Sequence, residues 1–597
     1  MSVTGMIDPV LGCAGWLYLS LRADADVVAD GADLVIGGSA KAVRVRRPSP
    51  GLAGALRMLV TDPVLPATLV ATVAAGSAPL ATGPLVTGPL VTGPLVAPGQ
   101  AWSDAAGDLA RLRRVLAVLD SLLCRTVVDT AASGRRLVTV VPVSAGAVLA
   151  AAVPTAVGTG AVGTVGLRDC VRLSRFAYLR RPDVTTAGGR GGGGGRGLLV
   201  LESPLAAFRA VLHCPGVAAM VAACAAGGTV HTAVQTAVAP VHATAGPTDG
   251  GGLTPSSARL VLDLLVAAGL LESAGPDPAG QSDSSQSTGQ QAAEDDPESP
   301  LGLWDFHDLL FHSRSRPGHS DQPIGAYFRH AASSPEPSPL PIAPSQLPGA
   351  AGDGGDGVER LIDLVSPLWP DVLARDVTLT DALERRRSVR SYPQEPITLA
   401  ELAELLYRSA RVRGLTPATV GVAYTAVDRP YPAGGSMGEL ELYLSVARCD
   451  GLAAGVYHYD AAGHRLRLLD TADADRRALL AGAVAATAGA VEPQVLVTIT
   501  ARFARMAWKY SGIAYATTLK QVGALYQTMY LVATAMGLAP CGLGSGDTAL
   551  AARAFGTEWT AESSVGEFLL GSRPAGVAAG PHAFADVVRS SRVPARC

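Results

Sequence analysis

The chain has 597 residues, of which 48% are apolar and 17% are charged, and its formal net charge is −3. This length suits roughly three or four domains of ordinary size, and the apolar fraction is enough for sizeable cores. The near-neutral charge excludes a broad basic surface for nucleic acid or an acidic membrane. The 68 glycines and 42 prolines exceed the usual share and predict long loops and linkers.

Eight cysteines and ten histidines are scattered along the chain. No two cysteines have the spacing of a zinc site or a redox pair, and no two histidines form an HxxxH pair. We therefore predict no metal site and no disulfide framework, and the reducing cytoplasm is the expected compartment. An uncharged run at 137–167 is long enough for a bilayer, but prolines and glycines interrupt it. We expect no membrane span.

Residues 1–273 predict an N-terminal region of mixed α/β structure. Leucines at helical spacing predict a helix over 104–128. Apolar patterning predicts three strands, at 137–143, 171–179 and 198–201. Thr254 is a suitable N-cap for a helix that extends to about Leu271. The sequence pattern of this stretch resembles the last helix and wing of a winged-helix unit. Such a unit can bind a peptide at its edge. A plain helix pair is the alternative, and DNA binding is disfavoured because Arg259 is the only basic residue of the helix.

Segments of low complexity divide the chain. Three TGPLV copies at 82–96 and a glycine run at 188–197 both predict loops. Residues 274–300 are rich in Ser, Gln, Asp and Glu and cannot supply a core, so we predict a disordered linker there. The remaining predicted segments are a bridge at 301–332, a Pro/Gly linker at 333–357 and a last region at 358–597.

The last region opens with an arginine cluster between two predicted helix starts. Thr380 and Thr398 are suitable N-caps, and Thr398 forms a capping box with Glu401. The cluster between them consists of Arg385, Arg386, Arg387, Ser388 and Arg390. Guanidinium groups and a short hydroxyl suit a phosphate monoester, so the cluster predicts a phosphate site. A solvated basic turn is the alternative.

Two glycine-rich loops follow. The loop Pro432–Ser436 leads into a predicted strand at 440–446. Its backbone N–H groups can approach a planar ligand closely because glycine lacks Cβ. The second loop, a predicted turn at 541–544, comes after a long apolar helix predicted over 512–536 and ended by Gly537.

Lysine is rare in this chain, with three residues in all, and Lys509 stands beside Tyr510 just before the long helix. A lysine changes its protonation readily when buried, whereas an arginine does not. The pair is therefore a candidate acid–base unit. An ordinary lysine at a helix start is the alternative.

Taken together, the motifs RRSVRSY, PAGGS before a strand, WKY before a helix and APCGLG resemble those of flavin-dependent nitroreductases. The Lys-Tyr pair and the segment WDFHDLLFHSRSR at 304–316 narrow the resemblance to the SagB/ThcOx-type peptide dehydrogenases, which are azoline oxidases. The resemblance covers 300–597 well and 1–273 loosely. It implies an α+β protein with a C-terminal nitroreductase-like fold that binds FMN, preceded by a mixed α/β region with a winged-helix-like unit.

The resemblance also implies a role for individual residues. Those that would hold the FMN phosphate are Arg386, Arg387, Ser388 and Arg390, with one of Arg573, Arg589 and Arg592 adding a C-terminal contact. Those that would approach the flavin from the partner subunit of a homodimer are Pro432, Gly434, Gly435 and Ser436. Those that would lie at the isoalloxazine edge are Gly542, Leu543 and Gly544. Gln521 would reach the ribityl chain, and Lys509 and Tyr510 would be catalytic.

The implied reaction is the oxidation of thiazoline or oxazoline rings to thiazole or oxazole in a ribosomally synthesised, post-translationally modified peptide. Tyr510, or a water beside it, would take the ring proton, and Lys509 would assist it or act as the base. The implied partners are the azoline-containing precursor peptide and a cyclodehydratase. Three alternatives remain open: an NAD(P)H-dependent nitro- or quinone reductase, another peptide-backbone oxidase, and a non-catalytic scaffold that binds a leader peptide.

Overall fold

The structure is a computed structural model, and its contacts divide the chain into two compact units, Met1–Pro323 and Ile324–Cys597. The division falls within the bridge segment predicted at 301–332. The TGPLV copies, the glycine run and residues 277–298 of the acidic linker lie outside the described residues. The residues that the structure describes are 17–37, 42–61, 63–75, 101–129, 135–144, 147, 149, 169–181, 199–225, 227–238, 253–276, 299–320, 324–341, 360–420, 423–489 and 492–574.

The first unit combines antiparallel sheets with helices. Its elements are β1 (Leu17–Leu21), β2 (Asp26–Asp30), β3 (Asp33–Gly37), β4 (Ala42–Val45), α1 (Pro50–Thr61), α2 (Pro66–Ala75), α3 (Ala101–Val118), β5 (Leu123–Asp129), β6 (Arg135–Pro142), β7 (Asp169–Leu173), β8 (Tyr178–Arg180), β9 (Leu199–Glu202), β10 (Phe208–Leu212), α4 (Pro215–Ala225), β11 (Gly228–Thr229), α5 (Val230–Val238), α6 (Pro255–Ala267), β12 (Leu271–Pro276) and α7 (Phe306–Arg314). A six-stranded sheet has the order β1-β5-β6-β10-β9-β8, and β2, β3 and β4 form a smaller one. Two apolar cores result, one around β1–β4 and α1–α3 and one around α4–α6.

Helices α4, α5 and α6 pack beside a three-stranded sheet of order β11-β7-β12. This arrangement resembles a winged-helix unit, except that its central strand β7 comes from upstream in the chain. Thr254 caps α6 as predicted, since its Oγ1 accepts a hydrogen bond from the Ser257 amide at 3.1 Å. Arg259 of α6 pairs with Asp263 at 3.0 Å, so that guanidinium is engaged within its own helix.

The helix predicted over 104–128 is too long. Helix α3 ends at Val118, and residues 123–129 instead form the fully buried strand β5 between β1 and β6. Thr126, Val127 and Val128 are β-branched, and their preference for a pleated surface prevails over the leucine spacing. The strand predicted over 171–179 is likewise divided into β7 and β8 by a turn.

The second unit is a sheet with helices on both faces. Its elements are β13 (Gly325–Ala326), β14 (Leu361–Asp363), α8 (Trp369–Arg375), α9 (Leu379–Arg385), α10 (Leu399–Ala410), β15 (Gly414–Thr416), β16 (Ala426–Asp428), β17 (Leu440–Val446), β18 (Gly455–Asp460), β19 (Arg465–Leu468), α11 (Asp473–Ala486), β20 (Val495–Arg502), α12 (Phe503–Lys509), β21 (Tyr510–Ser511), α13 (Ala514–Ala535), β22 (Ala539–Leu543), α14 (Thr548–Phe555) and β23 (Glu562–Gly571). The seven-stranded antiparallel sheet has the order β14-β19-β18-β17-β20-β23-β22. Helices α10 and α13 share a core with one face, and α11 and α14 share a core with the other. The α+β class is thereby confirmed.

Several local predictions are confirmed in this unit. Thr398 and Glu401 form the capping box of α10, and α13 ends before Gly537, which has a φ of +74°. Thr380, however, is not an N-cap, because Thr378, two residues earlier, caps α9. The turn predicted at 541–544 is largely the end of strand β22. No helix within the described ranges is both long enough and apolar enough to cross a membrane.

Candidate functional site

The arginine segment after α9 is held against the C-terminal half of α13 by Tyr530. The Ser388 and Tyr530 hydroxyls are 2.8 Å apart, and the Arg386 guanidinium lies over the Tyr530 ring at 5.2 Å from its centroid. The same tyrosine hydroxyl accepts a hydrogen bond from the Gly542 amide at 2.7 Å. One half-buried tyrosine therefore joins the predicted phosphate segment to the predicted isoalloxazine edge.

The guanidinium groups of this segment carry charge that the rest of the site does not neutralise. Among the described residues, no carboxylate pairs with Arg386, Arg387 or Arg390, whereas Arg385 is paired with Asp381 at 2.7 Å. Arg387 donates only to main-chain carbonyls. An anion with several acceptor oxygens fits a set of guanidinium groups that no carboxylate neutralises.

Arg573, at the end of β23, adds to the same cluster. Burial, and then the nearby charge of Arg385, lowers the pKa of Arg573, and its Nε has no hydrogen-bond partner. A buried, unpaired guanidinium donor next to other arginines is expected where an anion binds. Of the three C-terminal candidates, Arg573 lies at the cluster, whereas Arg589 and Arg592 lie outside the described residues.

Lys509 ends the short helix α12 and is only 6% exposed. Its Nζ donates to the Tyr424 hydroxyl and lies 3.9 Å from the centroid of that ring. The Gly435 carbonyl is a second acceptor at 3.4 Å, and the Tyr510 ring centroid lies 5.2 Å away. The structure thus surrounds the lysine with two phenols and a carbonyl, and no carboxylate pairs with it among the described residues.

The loop Pro432–Ser436 meets this lysine directly. Gly435 has a φ of +59°, and a Cβ at that position would overlap Lys509 Nζ and lie 2.5 Å from Tyr510 Oη. Both polar atoms therefore converge on the one residue of the loop that has no side chain. Ser436, at φ +54°, adopts the same left-handed region despite its Cβ. The structure therefore brings two of the sequence motifs together, the glycine loop and the Lys-Tyr pair.

A segment upstream of the sheet, residues 324–341, packs against α12 and is here named the strap. Its strand β13 pairs with β21, and the Phe328 amide donates to the Lys509 carbonyl at 3.0 Å. The Phe328 ring stands edge-on to Trp508 at 5.4 Å and lies 6.1 Å from Tyr424. The strap therefore fixes the backbone on which Lys509 stands.

Two arginines, the buried Arg505 and the half-buried Arg502, hold the rest of the strap. Arg505 pairs with Glu336 at 2.6 Å, and Arg502 donates to the carbonyls of Ser338 and Pro339. Residues 333–341, at the start of the predicted Pro/Gly linker, thus make specific contacts with α12 and β20.

Gln521 lies on the Lys509 side of α13. Its Nε2 donates to Glu439 Oε1 at 2.6 Å, while its Oε1 and Glu439 Oε2 have no hydrogen-bond partner in the described part of the chain. Gln521 is also near Gly434, whose missing Cβ leaves room for the Thr517 methyl group. Gln521 therefore belongs with the glycine loop and not with the arginine segment.

The predicted site residues thus form two groups on different faces of α13. On α13, Thr517 lies at the Lys509 group and Tyr530 lies at the arginine group. The two residues are 13 positions apart along the helix. At about 100° and 1.5 Å per residue, these positions are roughly 140° apart around the axis and about 20 Å apart along it. Within one protomer, the body of α13 therefore separates the arginine group from the Lys509 group.

A cavity of about 390 Å³ lies on the arginine side of α13, beside the end of β22. Two of the predicted site residues, Leu543 and Gly544, line this cavity. Glu567 of β23 lines the wall that faces α13. Burial raises the pKa of Glu567 from its ordinary 4.5 to about 7. The folded chain then keeps a proton that the unfolded chain has lost, so this carboxyl lowers folding stability as the pH rises from about 4.5 to about 7.

Three side chains at these groups were missed from the sequence: Tyr424, Tyr530 and Glu567. None stands in a motif, and two are single residues in apolar stretches. The only available signal was the helical register, since Tyr526 and Tyr530 fall on one face of the long helix.

Two family models match the chain. A model described as the nitroreductase family matches residues 383–571, which include six of the seven strands of the sheet, the arginine segment, the Lys509 group and the cavity. A model described as the cyanobactin oxidase ThcOx matches residues 171–321, upstream of the strap.

Individual proteins are similar to part of this chain. The protein named nitroreductase MJ1384 of Methanocaldococcus jannaschii is 32% identical over 177 residues, which cover 30% of this chain and 82% of that protein. A crystal structure named as a nitroreductase of Ralstonia eutropha is 21% identical, with a TM-score of 0.29, and covers 37% of this chain and 92% of that one. The Escherichia coli microcin synthetase McbBCD complex with truncated pro-MccB17 bound contains a chain 17% identical, with a TM-score of 0.27, and the match covers 44% of this chain and 91% of that one.

Proposed function

This chain belongs to the nitroreductase family, and from that premise we propose that it is an FMN-dependent dehydrogenase that oxidises azoline rings of a ribosomally made peptide. The observation that carries the proposal is the buried Lys509, held by Tyr424 and Gly435 beside Tyr510. A match of residues 171–321 to the cyanobactin oxidase ThcOx model favours a peptide substrate over a small nitro compound.

The arginine group fits FMN. Arg386, Arg387, Ser388 and Arg573 would hold the phosphate, since their donors have no competing carboxylate. The cavity beside Leu543 and Gly544 would admit part of the ring system. When bound, FMN supplies the hydride acceptor for the azoline and is reoxidised by molecular oxygen.

The Lys509 group would move the proton. Aromatisation of an azoline removes one proton and one hydride from adjacent ring carbons. Tyr510 would act as its phenolate, whose Oη would take the proton and become a neutral hydroxyl, and the Lys509 ammonium would stabilise that phenolate by charge before the transfer. Tyr424 and the Gly435 carbonyl hold the ammonium in place, because they accept two of its three N–H groups.

Tyr424→Phe tests this positioning. The ring and its contact with the ammonium remain, but one acceptor of Nζ is lost. A hydrogen bond to a charged group is worth ~1.5–3 kcal/mol, so we expect kcat to fall by about 10- to 100-fold with KM and flavin content unchanged. Tyr327→Phe, an exposed tyrosine of the strap, is the matched control and should leave kcat intact. An unchanged kcat in Tyr424→Phe would remove Tyr424 from the positioning set.

We further propose that the enzyme is a homodimer with one complete site at each side of the interface. A two-fold axis would bring the Lys509 group of one protomer to the arginine group of the other, which α13 separates within one chain. Exposed apolar side chains in and beside α8 and α9 support this arrangement, because α9 packs against α13. These are Val365, Leu368, Leu373, Leu379 and Leu383, which are 45–79% exposed.

Mixing two inactive variants tests the shared site. Lys509→Ala keeps the arginine group, and the double variant Arg386→Ala/Arg387→Ala keeps the Lys509 group. Coexpressed chains should form heterodimers with one intact site, and statistical pairing should restore about a quarter of the wild-type sites. Coexpression of Lys509→Ala with Gly435→Ala is the control, because both changes affect the same group and no intact site can form. Recovery in neither mixture would place the whole site within one protomer.

We place recognition of the precursor peptide, or of a cyclodehydratase partner, on the first unit. The support is the winged-helix-like arrangement, whose strand β12 lies at the edge of its sheet and offers main-chain groups to an added strand.

The reaction class is tested by the visible spectrum of the purified protein under anaerobic conditions. An azoline-containing peptide should bleach the flavin band without any nicotinamide. A yellow protein that ignores the peptide and bleaches with NAD(P)H would instead be a reductase. A colourless protein that still binds the peptide would be a scaffold.

A further inference from the structure

Arg505 is a buried cation on the short helix that carries Lys509. Its side chain is 0% exposed, and it stands four residues before Lys509 on α12, so the two side chains lie on the same side of that helix. Burial lowers the pKa of Arg505, and the neighbouring Glu336 carboxylate opposes this effect. Packing alone does not require such an ion pair, because apolar side chains of similar volume are often at least as stable.

The guanidinium donates to three separate segments of the second unit. Its Nε donates to the Met437 carbonyl at 3.0 Å, and its Nη2 donates to the Thr425 carbonyl at 2.9 Å. Its Nη1 donates to the Glu336 carboxylate and to the Pro337 carbonyl of the strap, both at 2.6 Å. Glu336 Oε1 also accepts from the Thr425 amide at 2.9 Å, so the ion pair holds both main-chain groups of Thr425.

Each of these segments carries a group that contacts Lys509. Thr425 directly follows Tyr424, whose hydroxyl accepts from Lys509 Nζ. The glycine loop, which the guanidinium holds just after its last residue, supplies the Gly435 carbonyl as the second acceptor. The strap supplies the Phe328 amide, which donates to the Lys509 carbonyl at 3.0 Å. A shift of any one segment would therefore move an acceptor of the ammonium or the backbone that carries it.

We propose that Arg505 and Glu336 are positioning residues for Lys509, which align the strap, the Tyr424 segment and the glycine loop so that the ammonium faces Tyr510. The effect on turnover rests on the proposed function, whereas the placement of Lys509 can be measured without it. The pair acts on the catalytic geometry and not on substrate binding, so its loss should lower kcat and leave KM and flavin content unchanged.

Glu336→Ala removes the carboxylate from both Arg505 and the Thr425 amide. We expect kcat for an azoline peptide to fall by about 10- to 100-fold, with an unchanged KM and flavin-to-protein ratio. Glu336→Gln keeps an acceptor oxygen, so it should fold even if Glu336→Ala does not, and its kcat should fall by about 3- to 10-fold. Glu404→Ala is the matched control, because Glu404 of α10 is 12% exposed and pairs with Arg408 at 3.0 Å. That variant should lose thermal stability and keep its kcat.

A double-mutant cycle tests whether Glu336 acts through Tyr424. Glu336→Ala combined with Tyr424→Phe should lose no more than about threefold beyond the larger single loss, because both changes displace the same ammonium. Single losses that multiply would mean independent effects and would overturn the proposal. So would a wild-type kcat in the Glu336 variants, or an equal loss in Glu404→Ala, which would indicate a general effect of stability.

A second measurement follows Lys509 itself and needs no turnover. Acetylation by a water-soluble N-hydroxysuccinimide ester, read by mass spectrometry, compares the buried Lys509 with the exposed Lys520 in one chain. Glu336→Ala should raise the ratio of Lys509 to Lys520 acetylation at least about threefold, and Glu404→Ala should leave it unchanged. An unchanged ratio in Glu336→Ala would overturn the positioning role. A raised ratio in a protein that does not oxidise azolines would refute the proposed reaction and keep the positioning role.

Discussion

Lys509→Ala is expected to keep its flavin and lose azoline oxidation by about 10²- to 10⁴-fold, the usual contribution of a general acid–base group. The lysine is buried on the opposite face of α13 from the arginine group, so its removal leaves the proposed phosphate contacts intact. Its ammonium lies 5.2 Å from the centroid of the Tyr510 ring, and both Nζ and Tyr510 Oη face Gly435. The measurement is single-turnover bleaching by an azoline peptide, together with the flavin-to-protein ratio.

Lys520→Ala is the matched control, because Lys520 is an exposed lysine on the same long helix. That variant should turn over like the wild type. Full turnover in Lys509→Ala would show that the Lys-Tyr pair is not the acid–base unit. A loss of flavin together with activity would instead give Lys509 a role in binding the cofactor.

Gly435→Ala should have an effect of similar size by a different route. A Cβ at this position would overlap Lys509 Nζ, the far end of a flexible side chain, so the lysine can move away at little cost to folding. The left-handed φ of +59° adds about 1–2 kcal/mol of strain. We therefore expect a folded protein whose kcat falls by at least tenfold, since the displaced ammonium no longer faces Tyr510.

Gly556→Ala is the control that distinguishes backbone strain from displacement of the Lys509 side chain. Gly556 has a similar φ of +69°, but no atom lies within 4 Å of the place where its Cβ would be. Both variants should lose comparable thermal stability, and only Gly435→Ala should lose activity. Equal activity losses would mean that backbone strain, and not contact with Lys509, accounts for the effect.

The motifs of the second unit could be predicted because each is local in sequence. RRSVRSY places arginines and a serine within seven residues, and PAGGS places two glycines before a strand. The capping box of α10 and the end of α13 at Gly537 follow from neighbouring residues in the same way. The prediction of a helix over 104–128 was wrong at its C-terminal end, because pairing with distant strands prevailed over the local leucine spacing. Its second half is covered by sheet neighbours on both sides and becomes β5.

By itself, the sequence determined the kinds of groups available: a cluster of arginines, a glycine loop, one Lys-Tyr pair and a long apolar helix. Tertiary structure alone decided which of them meet. Tyr424 and Lys509 are 85 positions apart, and Ser388 and Tyr530 are 142 apart, so no local pattern could join them. The carboxylate of Glu567 likewise became distinctive only when packing enclosed it without a partner. Burial and long-range contact depend on the whole sheet and its helices, whereas motifs depend on neighbours along the chain.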